Sequence, residues 1–125
     1  MGILDRLLGR KQEQPAEGSN GMHAVLITFT SSASLDDLKA PFTDYANALR
    51  EMQGLIVKTW IRDGSTLGGF HVFASRKDAE GYLNSELAAS LTSNPTFSDF
   101  QIRHFDVLEE LSAVTGSPQT VLAQG

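Results

Sequence analysis

The feature that most constrains the fold is the order in which helical and strand-like hydrophobic patterns follow one another along the chain. Apolar and β-branched residues form four short runs that predict strands, at residues 23–30, 55–62, 67–74 and 100–107. Apolar residues at helical spacing predict two longer helices and a short terminal one, at residues 35–52, 75–93 and 108–114. The main elements therefore follow the order strand, helix, strand, strand, helix, strand.

Capping and turn residues support these boundaries. Ser34 and Ser75 each precede a predicted helix and have an aspartate three residues further on, which is a variant of the capping box. Pro41 lies inside the first predicted helix, where we expect either a kink or a restart after a short first turn. The residues 63–66 have turn chemistry, so the second and third strands are predicted to form a hairpin.

This order of elements is the split βαβ arrangement, a ferredoxin-like α+β fold with a four-stranded antiparallel sheet. Right-handed crossovers would place both long helices on one face of that sheet. The opposite face would then be uncovered, and an apolar uncovered face requires a second sheet against it. We therefore expect two copies of the chain to pair as a homodimer, in a dimeric α/β barrel.

Alternation along the hairpin strands sorts their side chains onto two faces of the sheet. The more uniformly apolar set is expected under the helices, and it comprises Leu55, Val57, Thr59, Ile61, Phe70, Val72 and Ala74. The mixed set is expected on the open face, and it comprises Lys58, Trp60, Arg62, His71 and Phe73. His104 of the last strand is assigned to the same open face.

The mixed set has the residue types of a pocket for a planar, oxygen-bearing molecule. Aromatic side chains can stack on a ring, a histidine can take a phenolic proton, and a cation can stabilise the resulting anion. The catalytic candidates are His71 and Trp60, and the substrate-binding candidates are Lys58, Arg62, Phe73, His104 and Tyr82. Structural roles remain open for the same residues, because aromatic, histidine and long cationic side chains also occur in cores, interfaces and sheet edges.

Composition excludes several other classes of protein. The chain has 125 residues, enough for one domain with a modest core, and no cysteine, so it has neither disulfides nor thiolate metal sites. Its three histidines lack the spacing of a metal motif, so no metal is expected. A net charge of −5 without a basic stripe disfavours nucleic-acid binding. Apolar runs all fall short of the roughly 18 residues that span a bilayer.

The two ends differ from the middle of the chain. Residues 1–21 combine an amphipathic segment, with Leu4, Leu7 and Leu8 on one side, and a polar linker at 11–21. This extension is interpreted either as a dispensable end or as a helix that contacts a membrane surface or a partner protein. Residues 22–116 are predicted to form the folded domain, and residues 117–125 a loose tail.

Four segments in this order resemble one family. They are residues 54–60 (GLIVKTW), 68–73 (GGFHVF), 79–83 (AEGYL) and 105–112 (FDVLEELS). As a set they resemble the YdhR-like monooxygenases of the dimeric α/β barrel superfamily, over roughly residues 22–116. Trp60 matches the tryptophan of the family's GL-K-W motif, and His71 follows its paired glycines.

The resemblance implies a homodimer with a pocket between the sheet and helices of each subunit. It also implies a cofactor-independent monooxygenase that oxidises a quinol or polycyclic phenol with O2, the substrate supplying the electrons. The first strand lacks the asparagine of haem-degrading relatives, so haem chemistry is not expected. The alternatives are a non-catalytic dimer that binds a small ligand, and an adaptor recruited through its N-terminal helix. A cytoplasmic location is expected, since the chain has no cysteine and no clear signal peptide.

Overall fold

The computed structural model describes residues 21–116. The predicted N-terminal helix and linker, apart from Gly21, and the whole predicted C-terminal tail therefore lie outside the described residues. Within this range the chain forms four strands, β1 to β4, at His23–Ser31, Leu55–Asp63, Thr66–Phe73 and Phe97–Asp106. It forms four helices, α1 to α4, at Leu35–Leu49, Arg76–Leu83, Glu86–Thr92 and Glu109–Thr115. None of these helices is long and apolar enough to cross a membrane.

The strands form one antiparallel sheet in the order β2-β3-β1-β4. The central strand β1 pairs with β3 from His23 opposite Phe73 to Thr30 opposite Thr66, and with β4 along its other edge. Strands β2 and β3 form the predicted hairpin, which turns through Gly64 at φ 63°. The order of elements and of strands confirms the predicted ferredoxin-like α+β fold.

The helix starts follow the capping residues of the sequence. Ser34 Oγ accepts the Asp37 amide at 3.2 Å, and Ser75 Oγ accepts the Asp78 amide at 3.0 Å. Helix α1 runs unbroken through Pro41, so the predicted restart there is wrong.

The second predicted helix is in fact two helices. Helix α2 ends at Leu83, and Ser85 caps the new helix α3 by accepting the Ala88 amide at 3.2 Å. Ser85 also donates its hydroxyl to the Tyr82 carbonyl at 2.6 Å, which satisfies a group at the end of α2. The chain therefore turns between α2 and α3 without leaving these two groups unpaired.

Helices α1, α2 and α3 pack on one face of the sheet and bury the main core there. The core unites inward residues of the sheet with inward residues of the helices, namely Val25, Ile27, Phe29, Leu38, Leu49, Leu67, Phe73, Ala79, Tyr82, Ala88 and Phe97. The other face carries a smaller cluster of Met22, Ala24 and Val72, against which Ile56, Val57, Phe105 and Val107 pack.

The face assignment made from the sequence is wrong. Residues opposite each other in an antiparallel pair share a face, and the register sets His71 opposite both Val25 and Lys58. Because Val25 belongs to the core under the helices, the mixed set lies on the helix-covered face. His104 is also opposite Val25, so it shares that covered face. The open face instead carries the more apolar set.

A bulge explains the one exception in β2. Leu55 pairs with Phe73, but Val57 pairs with Val72, so Ile56 is an extra residue between two neighbouring pairs. Leu55 therefore packs with the helix-side core, whereas Val57 packs on the open face. A strict two-residue alternation places Leu55 and Val57 together and cannot anticipate this switch.

Gly54, which joins α1 to β2, is predicted to be intolerant of any side chain. Its φ is +82°, and a Cβ atom at this position would collide with the Asp78 side chain at the start of α2. We expect Gly54→Ala to lower the free energy of unfolding by about 1–3 kcal/mol. Gly81→Ala is the matched control, because its helical position has nothing within 4 Å, and we expect it to be neutral or slightly stabilising. Urea unfolding of both variants measures the difference, and equal stabilities would contradict this account.

Candidate active site

A pocket lies between the β2-β3-β1 side of the sheet and the helices that cover it. Five aromatic rings contribute to its lining, together with one lysine, one histidine and a pair of glycines; the lining residues are Ile27, Phe29, Phe42, Tyr45, Lys58, Trp60, Gly68, Gly69, His71, Tyr82 and Leu91. The centre of a water molecule can occupy about 10 Å³ of it, which is room for roughly one water. The pocket is therefore nearly filled by its own side chains in this conformation.

His71 lines this region and has a buried, unpaired basic nitrogen. Its side chain is buried, with 1% exposed, and its Nδ1 lies 3.1 Å from the Val25 carbonyl. A carbonyl only accepts, so Nδ1 carries the proton and Nε2 holds the free lone pair. Nε2 is buried and has no hydrogen-bond partner among the described residues. The imidazole is thus neutral and held in one tautomer by the neighbouring strand.

Burial and charge keep this imidazole neutral. Burial of the ring, followed by the positive charge of Lys58, lowers the pKa of His71 to about 4, and the hydrogen bond to the Val25 backbone, followed by the nearby backbone of Gly69, opposes the shift only in part. The ring stacks on Phe73, with centroids 6.2 Å apart, and lies 5.5 Å from the Tyr82 ring. These contacts fix the plane of the imidazole.

Lys58 is a cation inside an aromatic pocket. Its Nζ lies 3.5 Å from the centroid of the Trp60 ring and 5.5 Å from that of Tyr45. Burial lowers the pKa of Lys58 to about 8. Neither the Arg76–Glu80 ion pair nor the contact between His23 and Asp106 involves Lys58. The ammonium is therefore stabilised by aromatic faces without an opposite charge beside it.

Two tyrosines close the side of the pocket that faces the helices. Tyr45 of α1 and Tyr82 of α2 meet through their hydroxyls, 2.5 Å apart. Burial is the first cause that raises the pKa of each hydroxyl, so both stay protonated near neutral pH. The pair cross-links the two helices and offers a neutral hydroxyl group to the pocket.

Trp60 forms the outer rim of the pocket. It is 40% exposed and lies against Phe42 of α1, with ring centroids 5.2 Å apart. Tyr45 approaches the same indole edge-on at 6.4 Å. One part of the indole is thus held by α1, while the ammonium of Lys58 lies over its ring.

The structure brings together four of the seven residues nominated from the sequence, since Lys58, Trp60, His71 and Tyr82 all line this pocket. Phe73 lies behind His71 in the core, with 0% exposed, and supports the imidazole. Arg62 is exposed opposite Leu67 towards the end of the hairpin, and it does not line the pocket.

His104 lies elsewhere on the covered face. Its Nδ1 lies 2.9 Å from Nε2 of His23, and Nδ1 of His23 lies 3.8 Å from an Asp106 carboxylate oxygen. This group joins the ends of β1 and β4. Among the described residues, no group of three or more metal-binding side chains has the arrangement of a metal site.

Sequence reasoning missed the contribution of α1 to the site. Phe42 and Tyr45 lie in the first predicted helix and were not among the nominated site residues, yet both line the pocket. A signal was present, because the chain has just two tyrosines, and each lies on the inward side of a predicted helix. The paired glycines are a place of close approach in β3, because a Cβ atom on Gly69 would collide with Lys58 Cε.

Solved structures with the same fold include one that is described as an oxygenase. A cofactor-independent oxygenase from Streptomyces nogalater, SnoaB, is 13% identical, with 70% of this chain and 93% of that chain covered and a TM-score of 0.59. A "putative antibiotic biosynthesis monooxygenase" from Caulobacter crescentus is 19% identical, with 72% and 92% covered and a TM-score of 0.61. A protein of unknown function from Nitrosomonas europaea, NE2512, is 24% identical, with 72% and 92% covered and a TM-score of 0.55.

These likenesses are at identities that establish the fold alone. No curated protein sequence matches the chain. The family model described as "Putative mono-oxygenase ydhR" matches residues 25–118. This range contains all four strands, except for the first two residues of β1, and every residue that lines the pocket. The chain therefore belongs to the ydhR mono-oxygenase family.

Proposed function

We propose that the protein is a cofactor-independent monooxygenase that oxidises a small aromatic phenol or quinol with O2 in the pocket between sheet and helices. The observation that carries the proposal is the unpaired Nε2 of neutral His71 in an aromatic pocket that also holds the unpaired ammonium of Lys58. The family and the cofactor-independent oxygenase of the same fold support the reaction type. The substrate class is inferred from the aromatic lining and the two basic groups.

The first step is removal of a phenolic proton. His71 Nε2 accepts the proton, and the ammonium of Lys58 stabilises the phenolate oxygen. A pKa of about 4 makes His71 a weak base in the empty pocket. A bound phenolate changes this balance, because its negative charge favours the imidazolium while Lys58 favours the phenolate over the phenol.

The second step transfers electrons from the substrate to oxygen. The phenolate gives one electron to O2, and the resulting radicals combine to form a C–O bond at a hydrogen-bearing ring carbon ortho or para to the oxygen. Protonation yields a hydroperoxide; its O–O bond breaks as the hydrogen on that carbon leaves as a proton, giving a carbonyl and water. For 9-hydroxyanthracene the balance is one substrate plus one O2 to one anthraquinone plus one water.

The proposal includes a homodimer formed through the open face of the sheet. Phe70 and Ile61 lie on that face by register and are 39% and 41% exposed. They adjoin the cluster that contains Val72 and Phe105. A second copy of the same sheet would cover this apolar surface. We also propose that the protein acts in the cytoplasm, in keeping with a chain that has no cysteine.

Oxygen uptake with 9-hydroxyanthracene tests the reaction. We expect the metal-free protein to consume one O2 per anthraquinone formed and to place one atom of labelled oxygen in the product. Hydrogen peroxide equal to the O2 consumed would contradict a monooxygenase and indicate an oxidase. Flat traces across a panel of hydroquinones and polycyclic phenols would contradict catalysis and favour the non-catalytic ligand-binding alternative.

A further inference from the structure

We propose that Lys58 occupies the place of the substrate ring in the empty pocket and must be displaced by the ligand, so that the pocket selects planar aromatic anions over neutral rings of the same shape. The proposal rests on the proposed function in taking this pocket as the ligand site. It does not depend on any oxidation step, and binding alone tests it.

The position of Lys58 is the first support. Its Nζ is 3.5 Å from the centroid of the Trp60 ring, where a stacked ring would lie. Its stem fills the hollow over Gly69, since a Cβ atom placed on Gly69 would meet Lys58 Cε. With the side chain in this position, the pocket has about 10 Å³ for the centre of a water molecule. A ring cannot enter until the lysine moves.

The charge of Lys58 is the second support. It is the one ionised side chain among those that line the pocket, and the ion pairs of residues 21–116 do not include it. A half-buried cation without a counter-ion costs folding free energy, although less than a fully buried one. An anionic ring relieves that cost by pairing with the ammonium, whereas a neutral ring must displace the cation from the indole without replacing the lost attraction.

None of the side chains that line the pocket around Lys58 carries a negative charge that would repel a bound anion. The titratable groups that share its pocket are His71 on β3, Tyr45 on α1 and Tyr82 on α2, and the contribution of β1 is the apolar pair Ile27 and Phe29. The imidazole is neutral and both hydroxyls stay protonated near pH 7. Since burial lowers the pKa of Lys58 to about 8, selection for anions should weaken above that pH.

Calorimetric titration with two matched probes tests the proposal: 2-naphthoate, which is anionic, and 2-naphthamide, which is neutral and has nearly the same shape. At pH 7, under nitrogen, we expect the wild-type protein to bind 2-naphthoate at least 10-fold more tightly. Lys58→Ala vacates the hollow and removes the charge, so 2-naphthoate should weaken at least 10-fold and 2-naphthamide should tighten about 10-fold. Lys58→Met keeps the hollow filled and should weaken 2-naphthoate without tightening 2-naphthamide.

The pattern across the two variants separates displacement from simple charge attraction. Equal affinity of 2-naphthamide for the wild type and for Lys58→Ala would overturn the displacement. The displacement would also be overturned if neither probe bound to the wild type or to either variant. Equal binding of the two probes to the wild type would overturn the selection for anions. If the binding pattern is found but the protein consumes no oxygen, the proposed reaction is refuted and the inference about Lys58 stands. If the protein consumes oxygen but the binding pattern is not found, the inference is refuted and the proposed reaction stands.

Discussion

His71→Asn should make the protein markedly less sensitive to acid. Folded His71 has a pKa of about 4, against an ordinary value of 6.5, so between these values the unfolded chain binds more protons than the folded one. The stability of the wild type therefore falls as the pH falls from 6.5 to 4, by about 3 kcal/mol from this residue, and levels off below. Asparagine does not titrate, and its side-chain amide can still donate to the Val25 carbonyl.

Urea unfolding from pH 7 to pH 4 measures this effect as the difference between variant and wild type. We expect that difference to change by about 3 kcal/mol in favour of the variant as the pH falls. Lys58→Met is a second check, because removing the nearby cation raises the pKa of His71 and makes the loss smaller than in the wild type. Parallel curves for the wild type and His71→Asn would contradict a buried neutral imidazole.

Phe70→Glu should convert the proposed dimer into a monomer. Phe70 lies on the open face, and a carboxylate there would be buried without a partner when two sheets meet. We expect the dissociation constant of the dimer to rise by a factor of about 100 or more, equivalent to about 3 kcal/mol. Light scattering at micromolar concentration measures the mass of each variant.

Leu35→Glu is the matched control for the open face. Leu35 begins α1 and is 42% exposed, close to the 39% of Phe70, so both changes place a charge at a similarly exposed apolar position. We expect Leu35→Glu to stay dimeric. A monomeric wild type, or a dimeric Phe70→Glu, would refute the dimer through this face while leaving the fold of the single chain intact.

The order of elements could be predicted from the sequence because each element carries its own periodicity and end signals. Ser34 and Ser75 begin helices where their hydroxyls accept backbone amides, as predicted. The break between α2 and α3 was missed, because apolar residues continue at helical spacing across Asn84 and Ser85. The break depends on the tertiary position of Tyr82 and on the cap at Ser85, and the spacing of apolar residues contains no information about either.

The faces of the sheet could not be assigned from the sequence. Polar residues were expected away from the helices, yet Lys58 and His71 lie under them, because Gly69 leaves room for the lysine stem and Val25 supplies a carbonyl for the imidazole. The grouping of these residues was correct, since alternation places them on one side of neighbouring strands. Which helix covers them depends on packing, so Tyr45 escaped notice.

The most direct test of the central claim is the rate of oxygen uptake with 9-hydroxyanthracene in three proteins: the wild type, His71→Asn and His104→Asn. The two variants make the same change on the same face of the sheet, but only His71 lines the pocket. We predict that His71→Asn lowers the rate by a factor of about 100 to 10,000 and that His104→Asn stays within about threefold of the wild type. Equal rates for His71→Asn and the wild type, or equal losses in both variants, would contradict a base at His71.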